Sequence, residues 1–359
     1  MKHFRKYYLI FIVFFLLDKL LLIPELRFSW TVVTPANPHR DTLENAEYPF
    51  IDSEDKQVIW NFGTSRSGCF YHVPVPSQTE IDPYLTQNDR VRLNKYKLNN
   101  FSSVASNSEI HMTRMLQLLE RGLKPDALFI EISPLSFNRS NVNYFGKIEG
   151  ISFFTLIKNL DQYSLTTIRE IFITRMFASY RYKLSWNKIV KSKKEESSLF
   201  MGLMVMSEKE KVHEKLDIKL DVNQLKDVQV GKIPEYDYMT RFKLITSMVE
   251  KAYLASWQLD NSSIDTLDSL IRIANEKNIP VVLWRPDVHP LLKELYAKKN
   301  IDKNFEPVLM KVIQKHQVPY LKFNSTDKLK CNYFTDASHI STRCCTEMAA
   351  RLTETLENR

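Results

Sequence analysis

From residue 57 onward the chain alternates short apolar runs with segments of helical period. Gln57–Phe62 is an apolar strand that runs straight into Gly63, and residues 97–101 are a weaker strand candidate. Ser106-Asn107-Ser108-Glu109 has the capping-box pattern, so a helix starts there and runs through Met112, Met115, Leu116 and Leu119 to Gly122. Residues 127–132 read as a buried strand. A helix over about 264–276 precedes a strand at 279–284, and a helix near 305–316 precedes a strand at 318–323. A final helix is expected over about 341–356. Near-continuous apolar strands separated by helices predict a parallel sheet covered on both faces. The expected fold is therefore α/β: a flavodoxin-like three-layer α/β/α sandwich with a central parallel sheet of about five strands. A mostly helical insert over about 140–262 enlarges it. That insert holds an apolar patch, residues 200–206, between charge runs, read either as a lid or membrane-touching element or as a helix packed on the core. No internal repeat is evident.

The N-terminus departs from this alternation. Lys2, Arg5 and Lys6 precede an uninterrupted apolar run from Tyr7 to Leu17; Asp18 and Lys19 follow, then Leu20 to Ile23 before Pro24. A hydrocarbon core of ~30 Å asks for about 20 residues, and the run taken through Ile23 approaches that length, with an Asp-Lys pair able to snorkel or to neutralise itself. No small-x-small cleavage site follows, so a signal anchor is expected over residues 1–30, with a membrane span at about 7–23. Positive charge on the leading side places the N-terminus in the cytoplasm and the main domain in the periplasm or outside the cell. The bilayer is thus an expected partner, and Trp30 suits the outer interface. Residues 31–56, with Pro35, Pro38 and Pro49, read as a linker to a domain over 57–359.

Composition sharpens this only in places. A net charge of +8, from 50 Lys+Arg against 42 Asp+Glu, comes without an arginine-rich arm or zinc-finger spacing, so no nucleic-acid partner is expected. A basic surface beside an anionic membrane or glycan fits better, with plain solubility as the alternative. Cys69, Cys331, Cys344 and Cys345 lack metal-ligand spacing. They read as buried free thiols, with one disulfide, Cys69–Cys331, as the alternative outside the cytoplasm. No cofactor and no metal is expected. The chain has only 7 glycines in 359 residues, against a usual ~7%, so each is worth locating. Two of them, Gly63 and Gly68, bracket Thr64-Ser65-Arg66-Ser67.

In an open parallel sheet, ligands bind beyond the carboxyl ends of the strands. There lie Gly63 to Gly68, then Ser102 to Ser106, then Ser133-Pro134-Leu135-Ser136, then Arg285-Pro286-Asp287, and last Asp336-Ala337-Ser338-His339. A serine hydroxyl needs a base, and the base needs a partner that fixes its tautomer. Ser65, on a sharp turn after Gly63, is the candidate nucleophile, with His339 as base and Asp336 as its orienter. Backbone N–H groups at Ser65, Ala105 and Ser106 are the oxyanion candidates, aided by nearby helix N-termini. Ser67 and His72 are the nearest rivals. Arg66, Ser133 and Arg285 are candidate substrate contacts, a guanidinium being suited to a phosphate or carboxylate. For both arginines the alternative is an ion pair with an acid such as Asp287 or Glu131.

This constellation resembles the SGNH (GDSL-type) serine hydrolase superfamily, and most of all its membrane-anchored bacterial branch, which includes the DltD-type and alginate O-acetylation proteins. Ile59 to Ser67, Asn100 to Phe137 and Tyr333 to Ala350 carry the likeness. The resemblance implies the Ser65, His339 and Asp336 roles given above. The usual Gly-Asp-Ser is Gly63-Thr64-Ser65 here, the second-block glycine falls near Ala105 or Ser106, and Ser133 to Ser136 replaces the Gly-x-Asn-Asp block. An absent Asn donor lowers rate by about 10²–10³ unless replaced, with Asn138 and Ser133 as candidate replacements. The implied activity is a serine esterase or O-acyltransferase working on an acyl ester of a cell-envelope glycan or lipid-linked polymer. An acyl donor or acylated glycan and a membrane acyl-transfer protein are the implied partners. The alternative is a catalytically inactive SGNH-like binding or assembly protein of an envelope complex.

Overall fold

A computed structural model describes residues 2–20, 56–72, 82–102, 106–139, 153–182, 228–229, 242–243, 245–247, 249–323 and 329–359. The linker, the patch at 200–206, Trp30 and Ala105 lie outside them. The chain divides into two compact units. One comprises Met1–Glu47, Ile148–Gly150 and Tyr163–Lys219; the other comprises Tyr48–Lys147, Ile151–Gln162 and Leu220–Arg359. The expected insert is therefore split, its central part grouping with the N-terminal segment.

The second unit holds a parallel sheet of five strands: β1 (Gln57–Phe62), β2 (Tyr96–Asn100), β3 (Ala127–Glu131), β5 (Val281–Arg285) and β6 (Tyr320–Lys322), in the order β2-β1-β3-β5-β6. A separate antiparallel pair joins β4 (Val228–Gln229) to β7 (Tyr333–Phe334). β1, β3 and β5 lie inside the sheet, and β3 and β5 are buried at every position, which explains their unbroken apolar runs. The register sets Ile59 opposite Ala127, and Leu128 opposite Val281. On one face Ile59, Phe129, Val282 and Trp284 share a buried cluster with Met348 and Leu352. On the other, Trp60 and Phe62 meet the Phe101 ring at 5.8 and 5.6 Å. From β1 the chain crosses to β2 on one side and then returns to place β3 on the other. This reversal opens a crevice at the carboxyl ends of β1 and β3, where doubly wound sheets bind ligands.

The covering helices are defined by their caps. α2 (Gln87–Asn94) starts at a Thr86–Asp89 capping box that the apolar pattern does not signal, because the helix is polar nearly throughout. α3 (Ser108–Glu120) begins one residue later than the expected box. Its N-cap is Asn107, whose side chain accepts from the Ile110 N–H, while Glu109 is turned to Ser262 and Ser263. Ser106 is thereby released for another partner. α7 (Asn261–Glu276), α9 (Ile301–His316) and the last helix, α10 (Cys345–Glu357), match expectation to within a few residues. α8 (Pro290–Lys298), between β5 and α9, is an addition to the expected elements.

In the first unit the described elements are α1 (Lys2–Lys19), α5 (Leu165–Met176) and α6 (Ala178–Tyr182); α4 (Phe153–Lys158) belongs to the second. No described helix is long and apolar enough to cross a membrane. In α1 the charges at both ends leave an uninterrupted apolar stretch only from Tyr7 to Leu17, and the expected continuation to Ile23 lies outside the described residues. Asp18 does not rest on its neighbour alone: its carboxylate accepts from the Ala178 and Ser179 N–H groups, both at 2.7 Å, and Lys19 lies 3.3 Å away.

Candidate active site

The turn after β1 is built around a buried carboxylate. Glu131, the last residue of β3, accepts from the Thr64 N–H at 2.7 Å and the Thr64 hydroxyl at 2.6 Å. Parallel pairing of Phe62 with Ile130 brings Glu131 beneath the turn. Gly63 has no alternative here: a Cβ would overlap the Ser67 hydroxyl and stand 2.6 Å from Glu131 Oε2. Thr64 then organises the next three residues. Its Oγ1 accepts from the Arg66 N–H at 3.2 Å, and its carbonyl accepts from the Ser67 N–H at 3.2 Å and the Ser67 hydroxyl at 3.0 Å. Asn100 Nδ2 holds the Ser67 carbonyl at 2.8 Å. A short 3-10 helix over Ser65–His72 results, and Ser65 stands partly exposed at its start. Ser67, completely buried, is spent on this turn and leaves Ser65 as the accessible hydroxyl; the His72 side chain lies outside the described residues.

The second half of the site is a loop whose ends are joined. Cys331 and Cys344 form a disulfide across 13 residues of sequence, and Asp336 and His339 lie between them. The expected free thiols are thus corrected, as is the alternative Cys69–Cys331 pairing, since Cys331 pairs with Cys344 and Cys345 is disulfide-bonded as well. Glu347 of α10 accepts from the Lys330 and Cys331 N–H groups at 2.8 and 2.9 Å, pinning the loop's entry. Within it the Thr335 N–H donates to the His339 carbonyl at 3.0 Å, and the His289 N–H reaches the Ala337 carbonyl at 3.1 Å. Asp336 Oδ1 accepts from the Ser338 and His339 N–H groups at 2.7 and 3.0 Å.

These bonds aim the side chains. His339 Nδ1 lies 2.9 Å from each Asp336 oxygen, and His339 Nε2 lies 2.9 Å from Ser65 Oγ, across 274 positions of sequence. A carboxylate can only accept, so Nδ1 carries the proton and Nε2 presents a lone pair to the serine hydroxyl. This is the arrangement a serine nucleophile needs: base within hydrogen-bond reach, and the base held by a third group.

The remaining candidates separate. Arg66 is buried; its Nε donates to the Ser338 carbonyl at 3.0 Å and its Nη1 to Ser133 Oγ. It therefore ties the nucleophile turn to the His339 loop, and Ser133 is its partner. Arg285 takes the ion-pair alternative, though with acids other than those expected: Asp302 at 2.7 Å and Glu306 at 2.5 Å. Its two terminal nitrogens are committed there, which argues against a substrate-anion role. Asn138 is occupied with the Tyr253 carbonyl and the Gln258 N–H, so it does not replace the missing donor. Ser106 is completely buried, donating its hydroxyl to the Gly63 carbonyl and accepting from His111 Nε2 at 2.9 Å. It braces the turn from below. Among the described residues the Ser65 N–H has no acceptor, which leaves it available to an oxyanion.

Two site residues are not legible as such in the sequence. Glu131 reads there only as a partner for an arginine; its signal is an acid closing an otherwise apolar strand beside the strand that carries Gly63. His111 lies inside a helical pattern and gives no signal of its own. It stacks on Phe62 at 6.0 Å, and burial, aided by nearby Arg114, lowers its pKa to about 3, so it is a neutral structural group. Among the described residues no cluster fit to hold a metal ion occurs.

Among curated protein sequences none matches this chain. Residues 7–356 match the family described as "Protein of unknown function (DUF1574)", a stretch that takes in most of α1, the nucleophile turn and the Asp336–His339 loop alike. On that near-complete match, the chain belongs to the DUF1574 family.

Proposed function

We propose that the protein is a serine esterase or O-acyltransferase of the SGNH type, with Ser65 as nucleophile. The observation that carries this reading is the continuous relay from Ser65 Oγ through His339 to Asp336, each link 2.9 Å. Ser65 Oγ attacks the ester carbonyl carbon while its proton passes to His339 Nε2. The imidazolium, held by Asp336, then protonates the departing alcohol, leaving an acyl group on Ser65. Water, or a sugar hydroxyl in the transfer case, gives its proton to Nε2 and attacks the acyl carbon, and Nε2 returns a proton to Ser65 Oγ as the acyl–oxygen bond breaks. General base catalysis of this kind contributes about 10²–10⁴-fold. The Ser65 N–H is the first oxyanion donor.

By the same resemblance, the substrate is an acyl ester of an envelope glycan or lipid-linked polymer, and α1 anchors the chain in the bilayer. The disulfide Cys331–Cys344 supports a location outside the cytoplasm, where such bonds persist. The exposed apolar residues of α1, such as Phe11, Phe14 and Leu17, support the anchor.

Labelling by a fluorophosphonate probe tests the chemistry. The wild type should react, and Ser65→Ala and His339→Ala should not. If both variants label like the wild type, the relay is not a nucleophile. If none labels, while Ser65→Ala still supports an envelope complex, the binding-protein reading replaces this one.

A further inference from the structure

Two described helices of the first unit, α1 and α5, carry large apolar residues on their exposed faces. On α5 the exposed residues are Leu165, Thr166, Arg169, Phe172 and Met176, and the buried face carries Thr167, Ile171 and Thr174. Leu165 is 85% exposed and Phe172 54%, whereas the two threonine hydroxyls are buried and engaged within the helix and its cap. α1 shows the same pattern: Tyr8, Phe11, Phe14 and Leu17 are exposed, and among its described side chains the most fully enclosed is Asp18. A water-facing surface helix has the opposite arrangement, with its apolar stripe directed to the core. Apolar residues outside and satisfied polar groups inside are what a helix meets in lipid, where buried polar groups act as glue between helices.

The two helices are also physically joined. Asp18 accepts from the Ala178 and Ser179 N–H groups directly beyond the end of α5, Lys19 Nζ reaches the Met176 carbonyl, and the Phe15 ring meets Phe177 edge-on at 6.3 Å. The carboxyl end of α1 is thus clamped to the carboxyl end of α5.

We infer that α5 is a second membrane-contacting element, seated in the bilayer interface beside α1 with Leu165, Phe172 and Met176 toward the acyl chains. At 12 residues α5 is about 18 Å long, too short to span, so it lies within one leaflet. Arg169, in the same stripe, can bury its stem and raise its guanidinium to the headgroups. The inference rests on the reading of α1 as bilayer-embedded, but the two are separable by experiment.

The full chain, carrying single substitutions Phe11→Cys, Leu165→Cys or Phe172→Cys labelled with an environment-sensitive NBD fluorophore, would be reconstituted into phosphatidylglycerol-phosphatidylethanolamine vesicles. Since no cysteine is free among the described residues, the introduced thiol is the one expected to react. Fluorescence is compared between ordinary vesicles and vesicles whose acyl chains are brominated. We expect emission lost at positions 165 and 172 to a degree comparable with position 11. Quenching at 11 without quenching at 165 or 172 overturns the inference and leaves the anchor, meaning that a second copy or a protein partner covers the stripe. Quenching at 165 and 172 without 11 overturns the anchor and leaves α5 alone as the membrane-contacting element. Quenching at none of the three overturns both. Leu165, being the most exposed, tolerates substitution and keeps the test valid if the position 172 variant folds poorly.

Discussion

The turn that carries Ser65 is shaped by a buried carboxylate. Glu131 holds the Thr64 N–H and hydroxyl, and Thr64 in turn fixes the backbone of Arg66 and Ser67 around Ser65. It is a positioning residue. Glu131→Leu keeps roughly the volume but removes both acceptor oxygens, so the Thr64 N–H and hydroxyl lose their partner. A buried bond broken in this way costs about 1–3 kcal/mol. If Glu131 acts by placing Ser65, esterase turnover should fall at least tenfold with KM nearly unchanged; a change confined to thermal stability would reduce it to a structural acid. His111 offers a second test. Burial lowers its pKa to about 3, so the folded protein binds no proton there while the unfolded chain does below its ordinary value of 6.5. Stability contributed by the neutral ring is therefore complete above pH 6.5 and is lost as pH falls toward 3, by up to about 1.4 kcal/mol per pH unit. His111→Gln, which can still donate to Ser106, should flatten that slope in urea unfolding between pH 6.5 and 4. An unchanged slope would assign acid sensitivity to other groups.

Two short elements make the site, and both are held from outside themselves. The Ser65–His72 helix is fixed by β3 through Glu131 and by β2 through Asn100. The Asp336–His339 loop is fixed by Glu347, by the His289 N–H and by the Cys331–Cys344 disulfide. Arg66 bonds across from the first to the Ser338 carbonyl in the second. A closed loop of this size contributes about 2–4 kcal/mol by restricting the unfolded chain. The double variant Cys331→Ser/Cys344→Ser should lose that much stability and label more slowly with the fluorophosphonate. Wild-type labelling speed in the destabilised variant would show that the loop keeps its shape without the bond. The sequence announces the Gly63-x-Ser65 turn and the Asp336-x-x-His339 pair, because each is local. It conceals the cysteine pairing, since adjacent Cys344 and Cys345 offer equivalent choices that only the α10 geometry resolves. It also misplaces the α3 cap, because Ser106 and Asn107 are both good caps and the Gly63 carbonyl claims the serine.

At the scale of the whole molecule, the parallel sheet is legible because β3 and β5 are buried on both faces and read as unbroken apolar runs. β2 is fainter because an edge strand, half-buried at every position, lacks that pattern. Helix α2 escapes the apolar pattern because its stability comes from its capping box and ion pairs with α10 rather than from an apolar face. The strand order does the remaining work: it brings the ends of β1 and β3 together at the point where the chain reverses, and the last loop closes over them. The most direct test of the central claim is mass-spectrometric peptide mapping of the full chain after reaction with a fluorophosphonate. The account predicts a single phosphonyl adduct, on Ser65, that forms far more slowly in Asp336→Ala and fails to form in denatured protein. An adduct on another residue, or equal modification after denaturation, would contradict it.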